Sequence, residues 1–473
     1  MSRTIPDLAP ELARAAFRRG LAVTDRHGGT RPIPIAALPV VLDDVELDRR
    51  MRLATLLASA CLKMANAALA GAELRASLLG ALSPLEAELA AAAPLERLAT
   101  TRVDLFEGST LQALEVNATI PAMQGYSDIA AEALLDVVGA AAGVSDAVLT
   151  RWRAANGSNA RALFEALRAG YASVRPGRTP ERVALLARRH DAQLTELCFL
   201  RDRFRGFGVD AEVVHPDQLA GDDDAVRVDG RRYDLVYRHL FVRRLEEPGF
   251  PGAGQALRLL REQNGARAVL LNPPASHVEV KSVFALLSRS QDEHELAALA
   301  RLTDDERAAV DQAVPWTREL RGDGVVARVT ADPDAYVLKR AWDYGGRAVL
   351  IGRERDEPGF AERVRAAWAD ADPSWPSVCA RAAADRRGGG FVVQRLIEAP
   401  TLPNLLCSES GATPARLTVD FSAYASVGLA VDPPWGAVCR GAPSRIVNIV
   451  GGGGVVPVLR AQVAQELADA LAA

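Results

Sequence analysis

A single lysine and a pair of glycines stand out in the stretch YVLKRAWDYGGRAVLIG, residues 336–352. Lys339 is one of only three lysines among the 56 Lys and Arg residues of this 473-residue chain. Lysine carries a compact ammonium and arginine a wide planar guanidinium, so the two do not interchange in a tight phosphate pocket. Gly345 and Gly346 would let backbone N–H groups approach phosphate oxygens closely. The stretch indicates a phosphate-binding turn, and the alternative is an ordinary hairpin with an exposed lysine.

A carboxylate and an amide lie two residues apart in the stretch LEVNA. In a strand, Glu115 and Asn117 point to the same face, because successive side chains alternate. Hard oxygen ligands of this kind suit Mg²⁺, which keeps water molecules and substrate phosphates as its other ligands. A solvent-facing pair on an edge strand is the alternative, and this stretch alone favours that alternative.

Two further stretches are weaker signals when each is taken alone. In NPPASHVEVKSVFALLSR, Lys281 begins a helix after a proline-rich loop, although the helix dipole slightly disfavours a cation at that end. In FVVQRLI, residues 391–397, a strand could offer backbone N–H and C=O groups to the edge of an adenine. A plain core strand explains this second stretch equally well.

Together and in this order, the four stretches resemble the ATP-grasp superfamily. Within it they resemble the circularly permuted branch typified by the eukaryotic type of glutathione synthetase. In the usual ATP-grasp order the Glu-x-Asn pair comes last, whereas here it precedes both lysines. The resemblance covers roughly residues 95–460.

The resemblance implies a role for each matching residue. Oxygen ligands would hold Mg²⁺ at Glu115, Asn117 and Asp343. The phosphates of ATP would contact Lys281, Lys339 and a lid that contains Gly345 and Gly346. The adenine-side hinge would consist of Gln394, Arg395 and Leu396. The catalytic residues would be Lys339 and two arginines that bind substrate carboxylates, Arg102 and Arg445. A second glycine-rich loop would run from Gly451 to Gly454.

Several positions depart from the glutathione synthetase pattern. Ile120, Pro121 and Ala122 stand where those enzymes carry small hydroxyl residues. The lid DYGGR is one glycine shorter, and its carboxylate is Asp343 where the family has glutamate. A family glutamate near the ribose has no clear match, with Asp420 the nearest candidate and Asn448 another polar group at the site, so these departures argue against glutathione itself as the product.

The implied activity is an ATP-dependent carboxylate–amine ligase that forms an amide through an acyl phosphate. We expect small amino-acid or dipeptide substrates, and we favour an amino-acid ligase that makes a dipeptide, with γ-glutamyl dipeptides as one option. The alternatives are a glutathione synthetase-like tripeptide ligase, an ATP-grasp kinase that phosphorylates its substrate, and a degenerate ATP-binding domain. Retention of both lysines and three candidate metal ligands argues against the last of these.

The elements that must position these residues predict an α/β (α+β) fold with antiparallel catalytic sheets. An N-terminal helical layer is expected from the Ala- and Leu-rich first 98 residues. Alternating strand and helix patterns between about 180 and 275 predict a small parallel sheet that binds substrate. The predicted boundaries are 1–98 (helical), 99–178 (metal strand), 179–278 (parallel sheet), 279–400 (nucleotide and lid) and 401–473 (second catalytic part).

Composition excludes several other classes of protein. The net charge of −4 gives no footprint for nucleic acid. Five scattered cysteines without a CxxC pair predict reduced thiols in a cytoplasmic protein. Charged residues interrupt the most apolar region, 53–98, so we expect no membrane span. Inspection finds no Walker A loop, HExxH or GxSxG motif. The family resemblance implies a homodimer.

Overall fold

The computed structural model describes residues 5–221, 226–261, 268–343, 345–431, 436–449 and 452–472. Helices and strands are mixed along the chain, as the sequence predicts. The described helices are Ile5–Arg18 (α1), Asp44–Ala70 (α2), Ala72–Leu79 (α3), Pro84–Ala92 (α4), Gln124–Ala141 (α5), Asp146–Asn156 (α6), Asn159–Val174 (α7), Leu194–Gly206 (α8), Ala253–Arg261 (α9), Ser276–Glu279 (α10), Ser282–Ser290 (α11), His294–Leu299 (α12), Asp304–Ala313 (α13), Asp323–Ala331 (α14), Pro358–Ala367 (α15), Trp375–Ala384 (α16) and Ala461–Ala472 (α17).

A seven-stranded sheet carries the predicted metal strand at one edge. Its strands, numbered along the chain, are in spatial order Thr401–Ser408 (β18), Ile35–Ala36 (β3), Gly454–Val456 (β21), Ala437–Ala442 (β20), Gly411–Val427 (β19), Leu98–Glu107 (β5) and Leu111–Asn117 (β6). The two strands β5 and β6 are antiparallel and place Arg102 opposite Asn117 and Asp104 opposite Glu115. Strand β6 is the strand that the sequence predicts for Glu115 and Asn117.

A four-stranded parallel sheet confirms the alternating pattern seen in the middle of the chain. Its spatial order is Val269–Leu271 (β13), Leu235–His239 (β12), Arg182–Ala187 (β7) and Asp210–Val214 (β8). Every neighbouring pair in it is parallel. The carboxyl ends of β7 and β12 therefore lie at the same edge, which is where open α/β sheets bind ligands.

A second four-stranded sheet, entirely antiparallel, carries Lys339. Its spatial order is Thr317–Glu319 (β14), Phe391–Arg395 (β17), Tyr336–Arg340 (β15) and Val349–Ile351 (β16). The remaining strands form smaller pairings: Ala22–Thr24 (β1) with Thr30–Pro32 (β2), Leu219–Gly221 (β9), Val226–Val228 (β10) and Arg231–Tyr233 (β11) with one another, and Val40–Leu42 (β4) with Val458–Arg460 (β22).

The structure differs from the predicted elements in two regions. The N-terminal part is not purely helical, because it holds the strands β1 to β4, each of two or three residues. Two of them pair with strands more than 350 residues away, so no local periodicity marks them. Beyond residue 335, the helices α15 and α16 interrupt the run of short strands.

Helix α2 is the one described helix long and apolar enough to cross a membrane, and 61% of its most apolar window is buried inside the protein. It belongs to the largest apolar core, together with residues of α11, α13 and β5. A helix at the centre of a protein core passes the same test of length and apolarity. Its one lysine, Lys63, pairs with Glu306 at 2.7 Å.

Asn272, which directly follows strand β13 of the parallel sheet, joins that sheet to the hairpin of β5 and β6. Its side-chain oxygen accepts hydrogen bonds from the N–H groups of Ala99 (2.9 Å) and Thr100 (3.2 Å), at the start of β5. Its amide nitrogen donates to the carbonyls of Thr100 and Ala118. The side chain is 1% exposed, so water does not compete for these groups.

We expect Asn272→Ala to lower the free energy of unfolding by about 3 kcal/mol, because it leaves several buried backbone groups without partners. Urea titration measures this loss. Asn66→Ala is the matched comparison, since the side chain of Asn66 bonds to the backbone N–H and carbonyl of one residue, Leu95, and is partly exposed. We expect it to cost about 1 kcal/mol. Equal losses in the two variants would contradict the role given to Asn272.

Candidate functional site

One cavity of about 820 Å³ brings together twelve of the residues that the sequence predicts for the site, whereas the described glycines of the predicted loop Gly451–Gly454 are not among its lining residues. It is lined from β5 and β6, from β15 and β17, from the turn after β20 and from the carboxyl ends of β7 and β12. The predicted residues that line it are Arg102, Glu115, Asn117, Lys281, Lys339, Asp343, Gly345, Gly346, Gln394, Arg395, Leu396 and Arg445. Their shared position is shown, and their roles remain predictions.

Lys339 is buried in the wall of this cavity, at 8% exposure. Its Nζ donates to the side-chain oxygen of Gln394 at 2.7 Å and to the carbonyl of Leu114 at 3.4 Å. Burial lowers the pKa of Lys339 to about 8, although the nearby Glu115 carboxylate opposes the change. The ammonium therefore stays protonated at neutral pH and faces the cavity with few partners.

Lys281 connects two of the predicted metal ligands. Its Nζ lies 3.1 Å from Glu115 Oε2 and donates to the carbonyl of Asp343 at 3.0 Å. Burial alone would raise the pKa of Glu115, but Lys281 and then Lys339 more than offset this, so its pKa lies below the usual value. Glu115 is an ionised carboxylate between two ammonium groups.

The oxygen donors of the site fit an ion that travels with phosphate. Within the parts of the chain that the structure describes, no group of three or more His, Cys, Asp or Glu side chains could hold a metal alone. Glu115 and Asn117 lie on one strand. Lys281 joins Glu115 to the backbone carbonyl of Asp343, whose carboxylate lies 4.0 Å from Arg340 Nε. Mg²⁺ commonly takes one or two carboxylates and completes its shell with water and substrate phosphates. The donors present fit that pattern.

In the floor of the cavity, two arginines and two aspartates form a buried network. Arg102 donates to both oxygens of Asp104 (2.7 and 3.1 Å) and to the carbonyl of Ala122 (3.0 Å). Arg440 donates to Asp104 at 2.7 Å and to Asp420 through its backbone and side chain. Burial would raise the pKa of Asp104, but the two arginines hold it well below its usual range.

This network changes what can be expected of three residues. Arg102 lines the cavity, but much of its guanidinium is already bonded within the protein, so it does not stand ready as a substrate clamp. Asp420 is fully buried and bonded to Arg440, so its carboxylate already has a charged partner inside the protein. Arg440 also lines the cavity, and no local sequence pattern marked it, because its partners lie on other strands.

Arg445 lies at the mouth of the cavity, with its side chain 44% exposed. Its Nη1 is 3.7 Å from carboxylate oxygens of both Glu354 and Glu357. These contacts are long and partly solvated, and exposed pairs of this kind contribute little stability. Arg445 is therefore better placed than Arg102 to exchange its partners for a substrate carboxylate.

The lid turn contacts the segment that precedes the second predicted glycine-rich loop. Gly345 and Gly346 have positive φ values of 69° and 72°, which favour glycine. Asn448 donates its side-chain amide to the carbonyl of Gly345 at 2.7 Å. A Cβ at Gly346 would lie 2.9 Å from a methyl carbon of Ile446. Of the loop Gly451–Gly454, Gly451 lies outside the described residues and Gly454 begins β21.

The predicted hinge shows a different arrangement from the one expected. The side chain of Gln394 bonds to Lys339 and to Thr317, so it holds the lysine rather than a base. The N–H of Arg395 donates to the carbonyl of Trp316, and that of Leu396 to the carbonyl of Ala335, both at 2.8 Å. These two N–H groups are therefore occupied, and the cavity wall continues past them at Ile397, Glu398 and Ala399.

A polar cluster that the sequence did not predict lies at the other end of the cavity, at the carboxyl edge of the parallel sheet. His239 Nε2 is 3.1 Å from the side-chain oxygen of Gln193 and 3.6 Å from Asp191 Oδ1. Arg188 lies 3.2 Å from Asp191. Burial would raise the pKa of Asp191, but the hydrogen bond with His239 helps to hold it well below its usual range. The sequence signal that could have found Asp191 and His239 was their position, at or just after the carboxyl end of an apolar strand of the parallel sheet.

Comparison with known proteins supports the fold and leaves the activity open. No protein-family model and no curated protein matches the chain. The structure is similar to the apo form of a glutathione synthetase-like effector from Globodera pallida, with a TM-score of 0.59 and 12% identity over 96% of this chain and 97% of that one. A protein provisionally named a gamma-glutamylcysteine synthetase, from Methylobacillus flagellatus, gives a TM-score of 0.40 and 10% identity over 81% and 86%. The first similarity establishes a shared α+β fold, and the second is too low to carry an argument.

The lowered pKa of Lys339 predicts how nucleotide binding depends on pH. A bound polyphosphate would restore the pKa of Lys339 toward its usual value, so binding takes up a proton once the free protein loses its own above about pH 8. We expect the affinity for ADP to fall about fivefold between pH 8 and pH 9. Isothermal titration calorimetry in buffers of different ionisation heat measures both the affinity and the proton uptake.

Two lysine variants separate this effect from a general change with pH. Lys339→Arg removes the titrating group, so its weaker ADP binding should not vary between pH 8 and pH 9. Lys63→Arg changes a lysine outside the cavity and should keep the wild-type pH dependence. A wild-type affinity that is constant over this range would contradict the account of Lys339.

Proposed function

We propose that this protein is an ATP-dependent carboxylate–amine ligase that joins small amino-acid or dipeptide substrates through an acyl phosphate. The observation that carries the proposal is the convergence in one cavity of two lysines, an ionised carboxylate and the glycine lid. The fold shared with a glutathione synthetase-like protein supports it at the level of architecture. Assignment to the ATP-grasp superfamily and to its permuted branch belongs to this proposal.

The charges around Glu115 suit a phosphoryl-transfer site. In the chain as it stands, Glu115 serves as the counter-ion of Lys281. A bound triphosphate would attract both ammonium groups and so free the Glu115 carboxylate, with Asn117 and Asp343, to hold Mg²⁺. That ion supplies neutralisation of the phosphate charge. Among the lining residues that the structure describes, no nucleophile is paired with a base. This chemistry requires none, because positioning and charge stabilisation are sufficient.

The proposed reaction has two steps. A carboxylate oxygen of one substrate bonds to the γ-phosphorus of ATP, and ADP leaves. The amine of the second substrate then bonds to the acyl carbon, loses a proton, and displaces phosphate. Lys281 and Lys339 hold the phosphate oxygens, Arg445 at the mouth binds a substrate carboxylate, and the lid at 345–347 excludes water from the acyl phosphate.

We expect pairs of L-amino acids to stimulate release of ADP and phosphate by the purified protein in the presence of ATP and Mg²⁺. Mass spectrometry should find a product whose mass is that of the two substrates less water. A phosphorylated substrate in its place would identify a kinase. If no carboxylate and amine pair stimulates ADP release, the ligase proposal fails.

Glu115→Gln tests the role of the central carboxylate in the same assay. The change keeps the shape of the side chain and removes its charge, so we expect kcat to fall at least about 100-fold. EDTA should abolish wild-type turnover, and added Mg²⁺ should restore it. Glu88→Gln alters an exposed glutamate outside the cavity and should leave kcat unchanged. Wild-type turnover by Glu115→Gln would rule out this carboxylate as a metal ligand.

A further inference from the structure

The segment that follows the metal strand is held by two glutamates from different elements. Glu279, in α10, accepts the N–H groups of Ala118 (2.9 Å) and Thr119 (2.7 Å) at the start of the segment. Glu196, in α8, accepts the N–H groups of Met123 (2.7 Å) and Gly125 (3.0 Å) at its end. The segment 118–123 is thus fixed at both ends by carboxylate side chains from other elements.

The carbonyl groups of the same segment are held as well. The carbonyl of Ala118 accepts from Asn272 (3.0 Å), and that of Thr119 accepts from Arg238 (3.3 Å). The carbonyl of Ala122 accepts from Arg102 (3.0 Å) and from the hydroxyl of Tyr424 (2.8 Å). Because donors and acceptors come from several separate elements, the segment cannot shift without breaking many buried bonds. It is a rigid part of the cavity wall.

The side chains that this rigid segment presents to the cavity are apolar. Ile120, Ala122 and Met123 line the cavity, and so do Val23 and Ile449. All five belong to one apolar cluster, in which Ile120 is the partly exposed member. Thr119, the one hydroxyl residue of the segment, is not one of the lining residues. This apolar wall offers a ligand no side-chain hydrogen bond.

The apolar wall lies next to the polar cluster of the parallel sheet. The N–H of Thr24 donates to the carbonyl of Ala192 at 2.9 Å, which joins the strand of Val23 to the loop that carries Asp191. The apolar wall and the polar cluster line the same cavity. A ligand at this end thus meets charged groups on one side and hydrocarbon on the other.

We infer that the amino-acid substrate bound at this end carries an aliphatic side chain, which packs against the apolar wall while its charged groups meet the polar cluster. The inference rests on the proposed function and names its substrate class. A polar side chain would lose its hydrogen bonds with water at this wall and gain none in return. Each methylene in contact with such a wall changes kcat/KM about tenfold or more.

The test compares leucine and valine with serine, asparagine and glutamate. Calorimetry measures the binding of each amino acid, and ADP release with amide formation measures its turnover. We expect the aliphatic amino acids to bind and react at least tenfold better than the polar ones. Ile120→Ser should reduce the preference for leucine over serine about tenfold, and the milder Ile120→Val should reduce it less. Val45→Ser, at a 78% exposed site on α2, is the control and should leave the preference unchanged.

The two readouts distinguish failure of this inference from failure of the ligase proposal. Amide formation with polar substrates alone, or an unchanged preference in Ile120→Ser, overturns the aliphatic substrate class and leaves the ligase standing. Tight binding of leucine without ADP release or amide overturns the ligase and leaves the substrate class supported.

Discussion

The structure depends on a buried ammonium whose partners inside the protein only partly replace water. Lys339 is 8% exposed, and its Nζ is held chiefly by the side-chain oxygen of Gln394. Taking a charged group out of water is costly unless it is paired and hydrogen-bonded. The lowered pKa of Lys339 is the sign of that cost. A polyanion in the cavity would remove it, so the arrangement favours binding of phosphate.

The surroundings of Lys339 are organised so that this charge stays where it is. Glu115 lies between the two lysines, and Lys281 also reaches the backbone of the lid at Asp343. Below them, the salt bridges of Arg440 to Asp104 and Asp420 join β5, β19 and β20. Such a network rigidifies a protein when its polar groups are satisfied. The floor of the cavity is therefore fixed, while Arg445 at its mouth is held by two long contacts of 3.7 Å to Glu354 and Glu357.

The sequence was sufficient to choose residues that the structure brings into one cavity, because several of the signals are local. The alternation of strand β6 puts Glu115 and Asn117 on one face, and the rarity of lysine marked Lys339. The parallel sheet was readable because each of its strands is an apolar run followed by turn residues. The α+β fold class is confirmed, whereas the order of the permuted branch remains a prediction.

What the sequence could not predict depends on contacts between distant segments. Arg440 matters because the register of β19 and β20 sets it beside Asp420, and because Asp104, 336 residues away, completes the network. Asp191 and His239 come together only once β7 and β12 are parallel neighbours. The predicted hinge differs from expectation for the same reason. The N–H of Arg395 bonds to Trp316, just before β14, and the N–H of Leu396 bonds to Ala335, just before β15. Pairings of this kind leave no periodic trace in the sequence.

In the proposed reaction, a substrate carboxylate becomes an acyl phosphate before the amide forms. Turnover with a substrate in which both carboxylate oxygens are ¹⁸O tests this step most directly, with the released phosphate analysed by mass spectrometry. The account predicts one ¹⁸O atom in each phosphate released, because the carboxylate oxygen that bonds to phosphorus leaves with it. Phosphate without the label, formed alongside product, would contradict the account.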